Sequence, residues 1–232
     1  KLLQMLQYRQ VDGLILTPTK GLEAEVRGLL GEKKPFVLMD RYFPALDAPH
    51  VVVDNFQGAR MAVAHLIRQQ YHRIAMVTTS SEQPQMMQRL DGYLAALEEG
   101  GIRHLKTLEL SIPFAGAESS AMDRISAFLV ERRPDAVFFS TNYLGVSGLE
   151  AIRGLHWHIP DQLGMVCFDD HAIFRLYEPA ITCVSQPMGE IGKCVVSILM
   201  DIIAGPTRSA RTRYVLPPRL IIRSSCREQM PG

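Results

Sequence analysis

A chain of 232 residues with 47% hydrophobic content can bury a substantial core in one large domain or two small ones, and its formal net charge of +1 provides no basic footprint for nucleic acid. No apolar stretch approaches the roughly 20 residues that span a bilayer, and the N-terminus lacks the charged-then-apolar layout of a signal peptide, so a soluble protein without membrane contact is expected. The cysteines Cys167, Cys183, Cys194 and Cys226 form no CxxC pair, which points to reduced thiols in a cytoplasmic setting and to no zinc, disulfide or other cofactor.

Residues 1–10 read as the middle of an amphipathic helix with no capping residue ahead of it, the pattern of a fragment. A strand over 13–16, a helix over 23–30, and strands over 36–39 and 51–53 follow, the last feeding a helix over 58–69. Further on, the pattern gives a strand over 74–77, a helix over 89–99 and a strand over 108–112. A helix over 120–131 leads to a strand over 136–139, then a helix over 144–153 and strands over 165–168 and 181–184. A helix over 191–203 and a strand over 220–222 close the chain. Short β-branched or aromatic runs alternating with helices are the signature of βα units around parallel sheets. A basic stretch at Arg208, Arg211, Arg213, Arg219, Arg223 and Arg227 reads as a solvated loop and strand edge, with phosphate contact as the lesser alternative.

Ligands of open α/β sheets bind outside the carboxyl ends of the strands, so the residues where each strand stops carry the information. Asp40, Asp54, Thr78, Asn142, Asp169 and Gln186 all stand there. Short side chains that donate and accept suit a polyol, sugar or similar polar ligand. They are also ordinary helix N-caps, the preferred reading for Asp54.

Several spaced segments together resemble the effector-binding domain of LacI/GalR-type transcription regulators. They include Val11-Asp12-Gly13-Leu14-Ile15-Leu16, Pro35-Phe36-Val37-Leu38-Met39-Asp40-Arg41 and Val53-Asp54-Asn55-Phe56-Gln57-Gly58-Ala59. Arg89-Leu90-Asp91-Gly92-Tyr93 is similar to the family's RxxGY signature, and Phe168-Asp169-Asp170, Gln186-Pro187 and Arg219-Leu220-Ile221-Ile222-Arg223 follow in the family's order. The resemblance implies an α/β fold of two lobes, of the type I periplasmic-binding-protein kind, with parallel sheets flanked by helices and the chain crossing between lobes three times. It places residues 1–70 with 186–213 in an N-terminal lobe and 71–185 with 214–227 in a C-terminal lobe. The family's first βαβ elements and its helix-turn-helix head would precede Lys1, leaving the N-terminal lobe incomplete.

Carried over position by position, the resemblance makes Arg89, Asn142 and Asp169 ligand contacts. For Arg89 the competing reading is a salt bridge to Asp91 or Asp169; Asp170 reads as a loop brace. Gln57 and Gln186 match positions facing the cleft, and Phe114 matches an aromatic that stacks on the ligand, with a plain core or loop contact as its alternative. Tyr143 departs from the pattern, standing where an aspartate is usual.

The function implied is an effector-binding core that senses a small polar molecule such as a sugar and couples it to operator DNA through the missing head, as a homodimer. Apolar residues of the opening helix and of 191–203, Met200 among them, are interface candidates, with lobe core as the equal alternative. The runner-up is the solute-binding protein of a sugar transporter, which shares the fold. An enzyme is not expected: no dinucleotide turn, phosphate loop or nucleophile elbow is present, and Gly145-Val146-Ser147-Gly148 lacks GxSxG spacing.

Overall fold

The computed structural model describes residues 11–19, 21–113, 120–205 and 212–227. The expected opening helix, Phe114, Arg208 and Arg211 lie outside them. The chain divides into two compact units, Lys1–Val53 with Pro187–Leu216 and Asp54–Gln186 with Pro217–Gly232. Three crossings, at residues 53–54, 186–187 and 216–217, join them.

In the first unit, β1 (Leu14–Leu16), β2 (Phe36–Met39), β3 (His50–Val53) and β9 (Arg213–Leu216) form a parallel sheet in that order. Successive strand residues face opposite sides, and here both sides are covered. Phe36 and Leu38 pack with Leu14, Val26 and Leu29, the last two from α1 (Glu23–Gly31). Val37, Val51 and Val53 pack with Ile191, Val195 and Ile198 of α7 (Met188–Ala204). That two-sided burial is why these strands read as continuous apolar runs rather than alternating ones.

The second unit is built the same way on six strands, in the order β10-β8-β7-β6-β4-β5. They are β4 (Ile74–Thr79), β5 (Glu109–Ile112), β6 (Ala136–Phe139), β7 (Gly164–Phe168), β8 (Thr182–Ser185) and β10 (Arg219–Ile221); only β10 is antiparallel. One face meets α2 (Asn55–Arg68) and α3 (Pro84–Glu99), where Met76, Phe138 and Phe168 pack among Ala59, Val63, Leu66, Tyr93 and Leu97. The other meets α4 (Ala121–Arg132) and α5 (Asn142–Gly154), where Val77, Phe139 and Cys167 pack among Ile125, Leu129, Leu144 and Ile152. A short α6 (Ala172–Leu176) follows β7.

Three assignments differ from the sequence expectation, the smallest being Gln186, expected with the N-terminal lobe but grouped with the second unit, where its side chain meets Asp169. Residues 54–70, expected with the N-terminal lobe, group with the second unit, because α2 packs on α3 and contributes to the core over β4, β6 and β7. Residues 214–216, expected with the C-terminal lobe, extend β9 along β3, Tyr214 opposite Val51 and Leu216 opposite Val53. Gly92 explains the closeness of α2 and α3: a Cβ there would lie 2.2 Å from the Phe56 carbonyl oxygen, so only glycine fits.

Candidate functional site

The site forms in the second unit, where β4, β6, β7 and β8 end. β7 finishes on the fully buried Phe168, and Asp169 then takes a left-handed conformation with φ of 72°. Its N–H still donates to the Val184 carbonyl at 2.9 Å, so the turn leaves the sheet without losing a ladder bond. A non-glycine residue in this region is uncommon, though aspartate tolerates it better than most, and such residues concentrate at binding sites.

Arg89 sits on α3 and is 3% exposed. A buried guanidinium must be paired and hydrogen-bonded, and this one is. Its Nε donates to Asn55 Oδ1 at 2.8 Å, and its Nη1 donates to the Ser140 carbonyl at 2.5 Å and to Asp169 Oδ2 at 3.4 Å. The guanidinium plane lies over the Phe168 ring, with Cζ 3.5 Å from the centroid. Of the two partners considered from the sequence, Asp169 is therefore the one the structure supplies. The other Asp169 oxygen accepts from Gln186 Nε2 at 2.5 Å, so β8's exit and α3 hold one carboxylate between them.

The surrounding polar groups are equally organised. Ser140 Oγ donates to Thr78 Oγ1 at 2.9 Å, linking the ends of β6 and β4. Arg223 grips Asp170 with two bonds, at 3.0 and 2.8 Å, and donates to the Ile181 carbonyl at 2.7 Å, which makes Asp170 the loop brace expected. Asp54 caps α2 by accepting from Gln57 N at 2.9 Å, as expected from its place after a strand. Thr141 caps α5, accepting from Leu144 N at 3.4 Å.

The structure thus brings Arg89, Asp169 and Gln186 into one hydrogen-bonded group. Asn142 opens α5 two residues after Ser140 and is half-buried, and Tyr143 beside it is 42% exposed. The Gln57 side chain accepts from Arg60 at 3.3 Å, and Arg60 in turn pairs with Glu99, so Gln57 is engaged along the outer flank of α2 and α3. Phe114 lies outside the described residues.

Sequence reasoning missed Asn55 and Ser140. Ser140 directly follows β6 and Asn55 opens α2 one residue beyond Asp54, so each stands close to a position that the strand-end rule did single out. The helix that carries Arg89 starts earlier than the expected residue 89, with Pro84 at the first helical position marking the start.

The thiols stay out of this chemistry. Burial, and then the neighbouring Cys183 and Asp169, push the Cys167 thiol well above its usual range, and burial pushes Cys183 up to about 12. Both are neutral at physiological pH, and neither is a nucleophile. What the group around Arg89 offers is an array of fixed donors and acceptors with its charges paired, suited to holding a polar molecule in one orientation.

A family model described as a periplasmic binding protein-like domain matches residues 63–226. The chain is 30% identical to the ribose operon repressor of Haemophilus influenzae over 224 residues, 96% of this chain and 66% of that protein. It spans about two thirds of the length of that relative. Among solved structures it is similar to a complex of the transcriptional regulator CelR with cellobiose, at 28% identity and a TM-score of 0.85, covering 97% of this chain and 68% of that one. A regulatory protein of the LacI family from Chloroflexus aggregans matches at 27% identity and a TM-score of 0.83, covering 97% and 80%.

Proposed function

Because the chain belongs to the periplasmic binding protein-like domain family, in the form carried by LacI-family regulators, we propose that it is the effector-sensing core of a bacterial transcription regulator. The observation that carries this reading is the Arg89–Asp169–Gln186 group at the carboxyl ends of β7 and β8, a charge-paired array with a buried arginine, placed where α/β sheets bind ligands. The ligand it fits is a small polar molecule with several hydroxyls. Two of the similar proteins point the same way, one named for a ribose operon and one solved with cellobiose.

In the whole protein, ligand binding would bias operator affinity through a DNA-reading head, with a homodimer matching two-fold half-sites. That response can be no larger than the ligand's differential affinity for the DNA-competent and DNA-incompetent states. No described helix is long and apolar enough to cross a membrane, and a cytoplasmic site of action fits the reading.

Thermal-shift measurements with D-ribose and cellobiose test the reading, since a ligand that binds only the folded state raises its apparent stability. We expect one of them to raise the melting temperature of the wild type, and Arg89→Ala and Asp169→Ala to bind it about tenfold or more weakly, the scale of losing a charged hydrogen bond. Folded variants that bind as tightly as wild type would show that the site has been placed wrongly.

A further inference from the structure

Phe168 closes β7 fully buried, and the Arg89 guanidinium lies over its ring, with Cζ 3.5 Å from the centroid. The ring keeps that place because a side chain is missing elsewhere. Gly58 is buried in α2, and a Cβ there would lie 2.7 and 2.9 Å from Phe168 Cε2 and Cζ and 3.1 Å from Pro218 Cγ. Carbon atoms in contact ordinarily stay about 3.5 to 4.0 Å apart. The ring has little room to yield, since it packs with Ala59, Met76 and Phe138 in a close-packed core. Alanine is the better helix former, so glycine at this place answers to the ring and not to the helix.

We propose that Gly58 and Phe168 are positioning residues of the effector site: the glycine makes room for the ring, and the ring sets the height and tilt of the Arg89 guanidinium. The inference rests on the effector-sensing reading above and adds what fixes the geometry of that site. A guanidinium is planar, and its N–H groups donate within the plane. The bonds from Arg89 to Asn55, Ser140 and Asp169 therefore restrain it along its plane and leave displacement across the plane soft. The phenyl face, whose π-electrons attract the cation, supplies the missing support. A methyl on residue 58 pushes the ring edge, slides or tilts the face, and moves the guanidinium with it. Neither residue need touch the ligand; both act through Arg89.

The test applies two readouts to Gly58→Ala, Phe168→Leu and the double variant. In the ligand-free protein the Arg89 Nε–H resonance, identified by its loss in Arg89→Lys, reports the stack, because a hydrogen held over a phenyl face is shifted upfield. Calorimetry with D-ribose and cellobiose reports the site. Expected are an upfield-shifted resonance in wild type, loss of that shift in both single variants, and sugar binding at least about fivefold weaker in each. The double variant should lose less melting temperature than the two single losses added together, since leucine frees the space that the methyl needs. If Gly58→Ala fails to fold, a folded double variant is the same rescue, and one that also fails to fold overturns the role of Gly58. A wild-type resonance in Phe168→Leu, or losses that simply add, overturns the inference. A lost shift with unchanged sugar affinity makes the pair purely structural and overturns it too, leaving the effector-sensing reading in place. Binding of neither sugar by wild type, with its upfield resonance present, overturns both.

Discussion

Both units end a buried strand on an aspartate in the left-handed region, Asp40 after β2 with φ of 67° and Asp169 after β7 with φ of 72°. In both, the aspartate N–H donates to a carbonyl of the next parallel strand, Val51 at 3.1 Å and Val184 at 2.9 Å. The backbone device is one; the side-chain settings are not. The Asp40 carboxylate is 40% exposed and lies 3.4 Å from Arg41, its own neighbour in sequence. The Asp169 carboxylate meets an arginine 80 residues away that is 4% exposed. A sharp turn therefore does not by itself fix a carboxylate; a buried counter-charge brought from a distant helix does.

The largest test of that contrast pairs Asp169→Ala with Asp40→Ala in chemical denaturation. Each places alanine in a left-handed turn at a similar cost of about 1 kcal/mol, so the difference between them reports the carboxylates. Removing the Asp169 carboxylate strips the buried Arg89 of its counter-charge, worth about 2 kcal/mol beyond the Asp40 variant once partial exposure is discounted. Equal losses would mean that Asp169 contributes only through its backbone. A smaller effect of opposite sign is expected from Asp40→Gly, which keeps the N–H and relieves the conformation, raising stability by about 0.5 kcal/mol. The same exchange at Asp169 should destabilise, and a gain there would erase the distinction.

The smallest effect concerns a second matched pair, the buried histidines. His50 in the first unit bonds the Ala48 carbonyl through Nδ1 at 3.0 Å and stacks on Tyr42 at 4.6 Å. His65 on α2 is 2% exposed, and its Nε2 has no hydrogen-bond partner among the described residues. Burial, and then the nearby Arg68, lower the His65 pKa. The unfolded chain then binds more protons, so stability is undiminished above the unfolded-state value near about 6.5. It declines as the pH falls below that value and levels off under the depressed folded one. Replacing His65 by leucine should flatten unfolding free energies measured between about pH 7.5 and 5.5; an unchanged slope would assign the acid sensitivity to other groups.

Much of the scaffold was legible because buried parallel strands carry dense apolar runs and helices carry a different period. The strand after residue 212 was not: Arg213, Tyr214, Val215 and Leu216 alternate between exposed and half-buried positions, as an edge strand does. Five-residue α6 is too short to show any period. At the site, family resemblance singled out Arg89 and Asp169, which the structure pairs with each other, and Asp54 was legible as a cap from its residue type, whereas Thr141 was not. The Asn55 and Ser140 roles depend on which distant side chain arrives above them, information that no local pattern holds.

Gly92 carries a consequence for redesign. With α2 and α3 in backbone contact there, the spacing between Asn55 and Arg89 is set by the helix pair and not by the ligand. Recognition can then be rewritten on a fixed frame. A library varying residues 142, 143 and 186, while keeping Asn55, Arg89, Gly92, Phe168 and Asp169, samples the proposed effector site without asking the fold to be solved again.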